Sequence, residues 1–246
     1  MRVLVHGITG HMGQIIASLA QSGFAEATLA GGVSPDVQVE ENNNYKSFST
    51  CNVESDVVVD FSFHSAVKDL MDYCVGKNLP VVVATTGHSQ EEQAIIKEAS
   101  EKIPVFYSAN MSIGVATLAD LAKKAAAAFP DADIEIVETH HNRKIDVPSG
   151  TALLLANAIK EARPQSIYNI GRPENGKRTK EEIGIHSVRR GNIAGIHEIL
   201  ISTENETITL KHEAHSRALF GEGALRAAAF LIGKKPGLYN MKDMIK

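Results

Sequence analysis

At 246 residues, with 43% hydrophobic and 22% charged side chains, the chain has an ordinary globular composition and enough length for two domains that each bury a core. A net charge of −4 supplies no global attraction for nucleic acid or an anionic membrane surface, so an anionic ligand must be held by a local cluster of basic groups. Cys51 and Cys74 form neither a CxxC pair nor a metal-ligand cluster; they read as buried free thiols, which fits a reducing cytoplasm.

The N-terminal apolar run breaks at His6-Gly7, too soon for a signal peptide, and no run is long enough to span a bilayer. Arg2–His6 reads as a buried strand, His11–Gln21 as a helix and Thr28–Gly31 as a second strand. The polar stretch Ser34–Thr50, with its three consecutive asparagines, reads as an irregular surface segment. Asp56–Phe61 is a strongly apolar strand, followed by a helix over Ser65–Lys77 and another strand over Pro80–Ala84. Ser89 with Glu92 forms a capping box opening a helix that runs to about Lys102, and Ile103–Tyr107 is a fifth strand. This alternation predicts a parallel sheet covered on both faces.

The rhythm changes after Asn110. An alanine-rich helix is predicted over Ile113–Phe129, a strand over Asp133–Thr139 and a helix over Ser149–Ala162. Gly171–Glu182 reads as an exposed charged loop. Strands follow over Ile185–Arg190, Ile196–Thr203 and Thr207–His212, the last two joined by a turn at Glu204–Glu206, and a helix closes over Leu219–Ile232. The fold class is therefore α/β: an N-terminal Rossmann-like domain and an α+β C-terminal domain, with the crossover near Ala109–Ser112.

Gly7-Ile8-Thr9-Gly10-His11-Met12-Gly13 stands between the first strand and the first helix. Glycines there let the main chain approach a pyrophosphate, and the helix end offers free N–H groups, so the segment reads as a dinucleotide cradle. The end of the second strand, where an acid selects NADH and a base NADPH, reads Gly31-Gly32-Val33-Ser34. Ser34 can bond to either ribose, so both NADH and NADPH stay open as the cofactor. The turns Asp60-Phe61-Ser62 and Ala84-Thr85-Thr86-Gly87 belong to the same carboxyl edge and can line the nicotinamide and its ribose.

The densest chemistry lies between Glu138 and Thr151, where His140, His141, Arg143 and Lys144 cluster ahead of Pro148-Ser149-Gly150-Thr151. A cationic loop that runs into a helix N-terminus suits a small substrate with two carboxylates, the amides and hydroxyls of Ser149, Gly150 and Thr151 facing it. Hydride delivered to an unsaturated carbon leaves charge that must be protonated, and histidine is the natural acid near neutral pH. Adjacent histidines in an extended segment point to opposite sides, which argues against a metal site. Pro-Ser-Gly lacks the nucleophile elbow of a serine hydrolase.

The unbroken run Glu138–Ala152, of the form E-x-H-H-x-x-K-x-D-x-P-S-G-T-A, closely resembles the signature of the 4-hydroxy-tetrahydrodipicolinate reductase family, also called dihydrodipicolinate reductase. The order of the other motifs is similar too: Gly7–Gly13, Asp60-Phe61-Ser62, Thr85-Thr86-Gly87, Ala109–Val115, and Val188-Arg189-Arg190-Gly191 with Gly195. The resemblance implies reduction of a cyclic imine derived from 4-hydroxy-tetrahydrodipicolinate, with loss of water, in lysine and diaminopimelate biosynthesis. It implies His140 as acid/base and Lys144 as proton donor, with His141, Gly150 and Thr151 on the substrate carboxylates. Gly7 to Met12, Ala84 to Thr86, and Ala109, Asn110, Met111 and Ser112 are implied to line the cofactor. It further implies a homotetramer built through the second domain's sheet and a last helix that returns to the first domain, so that residues 1–109 with 217–246 bind the dinucleotide and residues 110–216 bind substrate and tetramerise. Two positions depart from the family: Ala84 stands where glycine is common, and Ser34 where NADH-selective members carry an acid.

Overall fold

The computed structural model describes residues 1–245; Lys246, the last residue of the expected first domain, lies outside them. The chain forms two compact units, one of Met1–Ser112 plus the C-terminal segment that begins at Ala218, the other of Ile113–Arg217.

The first unit begins with β1 (Arg2–His6), α1 (His11–Gln21), β2 (Thr28–Val33), β3 (Asn44–Tyr45) and β4 (Val57–Asp60). It continues with α2 (Val67–Gly76), β5 (Val81–Val83), α3 (Gln90–Ser100) and β6 (Pro104–Tyr107). Val3, Leu4 and Val5 of β1, Val57, Val58 and Val59 of β4, and Val81, Val82 and Val83 of β5 are all fully buried. A strand hidden on both faces has no polar side to alternate with, which is why these read as continuous apolar runs. Each such side chain contributes about 1.5–3 kcal/mol of transfer free energy.

The second unit holds α4 (Ile113–Ala128), β7 (Asp133–His140), α5 (Gly150–Ala162), β8 (Ile167–Ile170), β9 (Glu182–Arg189), β10 (Gly195–Ser202) and β11 (Thr207–Ala214). Its sheet has the order β11-β10-β7-β9-β8, with β9 parallel and β10 antiparallel to β7. One face packs Ile134, Ile136, Ile185, Ile199 and Ile201 against Ala122, Leu155 and Ile159 of α4 and α5. Strand alternation makes that pattern: in β7 every second residue from Ile134 to His140 is buried.

The chain then returns to the first unit through α6 (Ala218–Leu231), β12 (Gly237–Tyr239) and α7 (Met241–Met244). Helix α6 packs on α1 and on β4, β5 and β6. The complete parallel sheet of this unit reads β12-β6-β5-β4-β1-β2-β3. The order reverses at β1, so the β1–β4 boundary is the switch point at which open α/β sheets bind ligands.

Several elements differ from the sequence expectation. The segment Ser34–Thr50 is not wholly irregular, because Asn44 and Tyr45 pair with Gly32 and Val33. The expected loop Gly171–Glu182 ends early: Glu182 starts β9 and is buried, its carboxylate taking Arg172, Asn169 and the Thr179 amide. Those polar partners are what permit a charged residue to begin an interior strand. Strands β8 and β12 were not foreseen; both lie at sheet edges and show little alternation.

Candidate active site

In the first unit the sheet's carboxyl edge gathers the expected dinucleotide residues. Gly7 has φ +83°, and a Cβ on it would stand 2.4 Å from the Phe61 carbonyl oxygen. A Cβ on Gly13 would stand 2.1 Å from the Gly7 oxygen. The turn is thus closed over glycine hydrogens alone, leaving its outer surface bare main chain. Gly10 caps α1 without a side-chain bond, and the first turn carries no acid. Contrast α3, whose end is satisfied by the reciprocal Ser89–Glu92 box. The uncapped amides and dipole of α1 fit a pyrophosphate.

Thr9, Gly10 and His11 are exposed and Met12 is half-buried, whereas Ile8 is buried beneath the turn. Ser34 is buried, its hydroxyl 2.7 Å from Thr9 Oγ1; Thr9 is the outer member of that pair. The Thr85 hydroxyl accepts the Ser62 amide at 2.9 Å, joining the turns after β4 and β5. Ala84 and Thr85 are buried, Phe61 is half-buried and Thr86 is exposed. Ala109 is exposed and Asn110 half-buried, and the Asn110 carboxamide accepts the Ser112 amide. Met111 and Ser112 are both buried. A Cβ on Gly223 would stand 1.7 Å from the Met111 carbonyl oxygen, so α6 presses on this stretch and Met111 anchors it.

In the second unit, strand register assembles the chemical cluster. Glu138 of β7 pairs with Ser187 of β9 and His197 of β10, and His197 pairs with His212 of β11. Two residues along, on the same face, His140 pairs with Arg189. Glu138 is wholly buried. Its Oε2 takes His140 Nδ1 and Arg189 Nη1, the latter at 3.0 Å, while its Oε1 takes Arg189 Nη2 at 2.8 Å and the Ser149 amide at 3.2 Å. Burial alone would raise this carboxyl, but the bonds from His140 and Arg189 outweigh it and hold it far below the usual carboxylate range.

The Ser149 hydroxyl caps α5 by accepting the Ala152 amide, and lies 3.2 Å from His197 Nε2. Ser149 is buried, which corrects the expectation that its hydroxyl faces substrate: a hydroxyl that caps its own helix turns inward. Gly150 is exposed and Thr151 half-buried, so the outward face begins there. Burial, with His140 alongside, pushes His197 down to about 3.

Lys144 Nζ sits 2.8 Å from Asp146 Oδ1. That bond, helped by the Gly150 amide, keeps Asp146 below its ordinary range. His141 donates its main-chain amide to Ile193, and burial plus Arg143 and Arg217 push its imidazole below normal. Arg143 turns instead to Asn192 at 2.6 Å. The structure therefore brings His140, His141, Lys144 and the Gly150–Thr151 helix end into one loop system, with Ser149 as a support.

Sequence reasoning gave no role to Glu138, Arg189, Asp146 or His197. Glu138 had a signal, because residues two apart on a strand share a face. Glu138, His140 and His197 also bring ligand-type atoms within 4.8 Å of one another. Yet a cation there would have to displace the Arg189 guanidinium and the Ser149 amide from the carboxylate, so the donor set suits an ion-paired acid better than a metal.

Two family models together match the chain: Dihydrodipicolinate reductase, N-terminus, over residues 1–111, and Dihydrodipicolinate reductase, C-terminus, over residues 114–245. The 4-hydroxy-tetrahydrodipicolinate reductase of Caldanaerobacter subterraneus subsp. tengcongensis is 46% identical, over 100% of this chain and 98% of that protein. The one from Clostridium tetani is 45% identical over 100% and 97%. Among solved structures, dipicolinate-bound dihydrodipicolinate reductase from Paenisporosarcina sp. TG-14 superposes with TM-score 0.83 at 25% identity, covering 99% of each chain. A probable dehydrogenase from Thermotoga maritima shares the fold, with TM-score 0.63 at 12% identity over 99% of this chain and 92% of that one. The chain belongs to the dihydrodipicolinate reductase family.

Proposed function

We propose that this protein reduces 4-hydroxy-tetrahydrodipicolinate to tetrahydrodipicolinate with loss of water, at the expense of NADH or NADPH, as a step of lysine and diaminopimelate biosynthesis. The observation that carries the reading is the second unit's loop system: an imidazole held by a buried carboxylate, an ammonium, and the exposed start of α5. Family membership gives it a substrate.

The reduced nicotinamide supplies the hydride. The Gly7–Gly13 turn and the α1 amides hold the pyrophosphate, with Thr9, Ser34, Phe61, Ala84, Thr85, Thr86, Ala109 and Asn110 lining the rest. The Gly150 amide, Thr151, His141 and Lys144 hold the two carboxylates of the substrate. The dipicolinate bound by the Paenisporosarcina relative is a dicarboxylate of that kind. His140 and Lys144 form the acid system that delivers one proton to the charge that hydride addition leaves on the ring, and the group that gives it up is reprotonated from solvent between turnovers.

Residues 1–109 with 217–246 are assigned to the dinucleotide and 110–216 to substrate and assembly. The sheet face opposite α4 and α5 carries Val137, Val188, Ile196 and Leu200, half-buried or exposed, and suits a homotetramer contact. No helix among the described residues is long and apolar enough to cross a membrane; Cys51 and Cys74 are free and buried, in keeping with a cytoplasmic enzyme.

The test is loss of reduced-nicotinamide absorbance with freshly made substrate, with NADH and NADPH titrated side by side. Lys144→Ala and His140→Ala should lower turnover by about two orders of magnitude or more while dinucleotide affinity holds. A folded wild-type protein that consumes neither dinucleotide would overturn the reading.

A further inference from the structure

Glu138 has no assigned part in the reaction, yet no other carboxylate among the described residues is so fully enclosed and so fully bonded. It accepts from a histidine, from both arms of an arginine and from a main-chain amide. Arg189 Nη2 also donates to the Asp146 carbonyl at 2.7 Å. The same pair therefore grips the last part of the 141–149 loop at two points: Glu138 holds the Ser149 amide, Arg189 the Asp146 carbonyl.

We propose that Glu138, clamped by Arg189, is the positioning residue that fixes the tautomer and aim of His140, so that Nδ1 keeps its proton and Nε2 alone exchanges one with substrate. This rests on the functional reading above, in which His140 is the acid. The argument is stereochemical. A carboxylate is acceptor-only, so the bond to Nδ1 requires Nδ1–H in every protonation state of the ring. Nε2 then carries the proton to be delivered, and its loss leaves the neutral ring already in the favoured tautomer. No ring flip is needed between turnovers. The ring is 6% exposed, and the neighbour its Nε2 meets on β10 is a glycine, where a Cβ would stand 3.0 Å away, so no side chain from that position covers the nitrogen.

Arg189 makes the carboxylate a reliable acceptor. Its two-pronged grip occupies the remaining lone pairs and fixes the plane of the carboxylate. Without it, Glu138 would sit wholly buried with His140 and the Ser149 amide but no permanent cation, and a buried carboxylate with less compensation takes up a proton more readily. A protonated Glu138 could donate to Nδ1, which would invert the tautomer and move the exchangeable proton off Nε2.

The claim is tested on the full chain labelled with 15N-histidine. At alkaline pH the neutral His140 ring should show a protonated Nδ1 and an unprotonated Nε2 in long-range 1H–15N spectra. The opposite tautomer overturns the proposal. Glu138→Gln, whose amide can donate to Nδ1, should lower kcat about 100-fold or more while KM for dinucleotide and substrate changes by less than about threefold. Arg189→Lys keeps the charge but loses the fork, and should lower kcat less. If Glu138→Gln does not fold, Arg189→Lys and the wild-type spectrum decide. A folded Glu138→Gln with unchanged kcat, or with the wild-type tautomer, would show the carboxylate to be structural only. Should the wild type consume no reduced dinucleotide, the functional reading falls while the tautomer experiment still reports on Glu138.

Discussion

Gly195 of β10 faces His140 of β7, and a Cβ built on Gly195 would stand 3.0 Å from His140 Nε2 and 3.4 Å from its Cδ2. At that separation a methyl group fits only if the ring gives by a few tenths of an ångström, and a branched side chain covers the nitrogen. The ring cannot give freely, because its other nitrogen is tied to Glu138.

Gly195→Ala should accordingly lower kcat modestly, and Gly195→Val should nearly abolish it, with dinucleotide affinity unchanged in both. Stopped-flow turnover beside fluorescence titration of NADPH measures the two effects separately. Equal kcat for wild type and Gly195→Val would mean that Nε2 is not the working atom.

The glycine turn makes a different forecast. Gly13→Ala puts a methyl 2.1 Å from the Gly7 oxygen and 2.8 Å from Ile8 Cα, both main-chain positions that cannot rotate away. Overpacking of this kind costs about 1–3 kcal/mol, and relief requires the turn to open. Both NADH and NADPH should bind about 5- to 150-fold more weakly by the same shift, while dipicolinate binding measured by calorimetry persists. Undiminished dinucleotide binding would remove the pyrophosphate from this turn.

Asp146 bears on the substrate end. Its carboxylate already holds Lys144 at 2.8 Å, so a substrate carboxylate that uses the same ammonium must compete with it. The side chain is 55% exposed, and an exposed pair is worth about 0.2–1 kcal/mol. Asp146→Asn should therefore bind dipicolinate up to about fivefold more tightly at low salt, the gain shrinking as salt rises. Weaker binding in the variant would mean that Asp146 orients Lys144 for substrate and does not compete with it.

What sequence could and could not disclose follows from how each feature is encoded. The buried strands of the first unit were legible because Val57–Val59 and Val81–Val83 are apolar without interruption. The Ser89 capping box was legible because both partners lie within one turn. Strand β8 was not, since Ile167–Ile170 is an exposed edge with no alternating face. The inward turn of Ser149 was hidden because its partner, His197, lies 48 residues away. Arg189 was quoted only as part of a motif, since its bond to Glu138 spans 51 residues. The residues proposed to touch ligand were thus visible as a local motif, while those that hold them in place depend on strand register, which local pattern does not reveal.

His197 yields a prediction about pH and stability. The ring is 4% exposed, and burial first, then His140, opposed by Glu138 and helped a little by His212 and Lys144, moves it from 6.5 to about 3. Around it stand Glu138 and His140 from β7, Ser149 from the start of α5, His212 from β11 and, farther along the loop, Lys144. Between pH 6.5 and about 3 the unfolded chain binds a proton here that the folded chain does not. Stability is therefore full above pH 6.5 and falls as the pH drops through that window, by up to about 1.4 kcal/mol per pH unit for one proton. His88, His141 and His212 are lowered as well and act with the same sign, so the wild-type slope exceeds the His197 share. Urea unfolding of wild type and His197→Asn from neutral pH down to where carboxylates begin to protonate isolates that share. The variant should be less stable at neutral pH but lose stability more slowly on acidification, so that the two curves converge. Parallel curves would show that His197 takes up its proton in the folded protein as readily as in the unfolded chain.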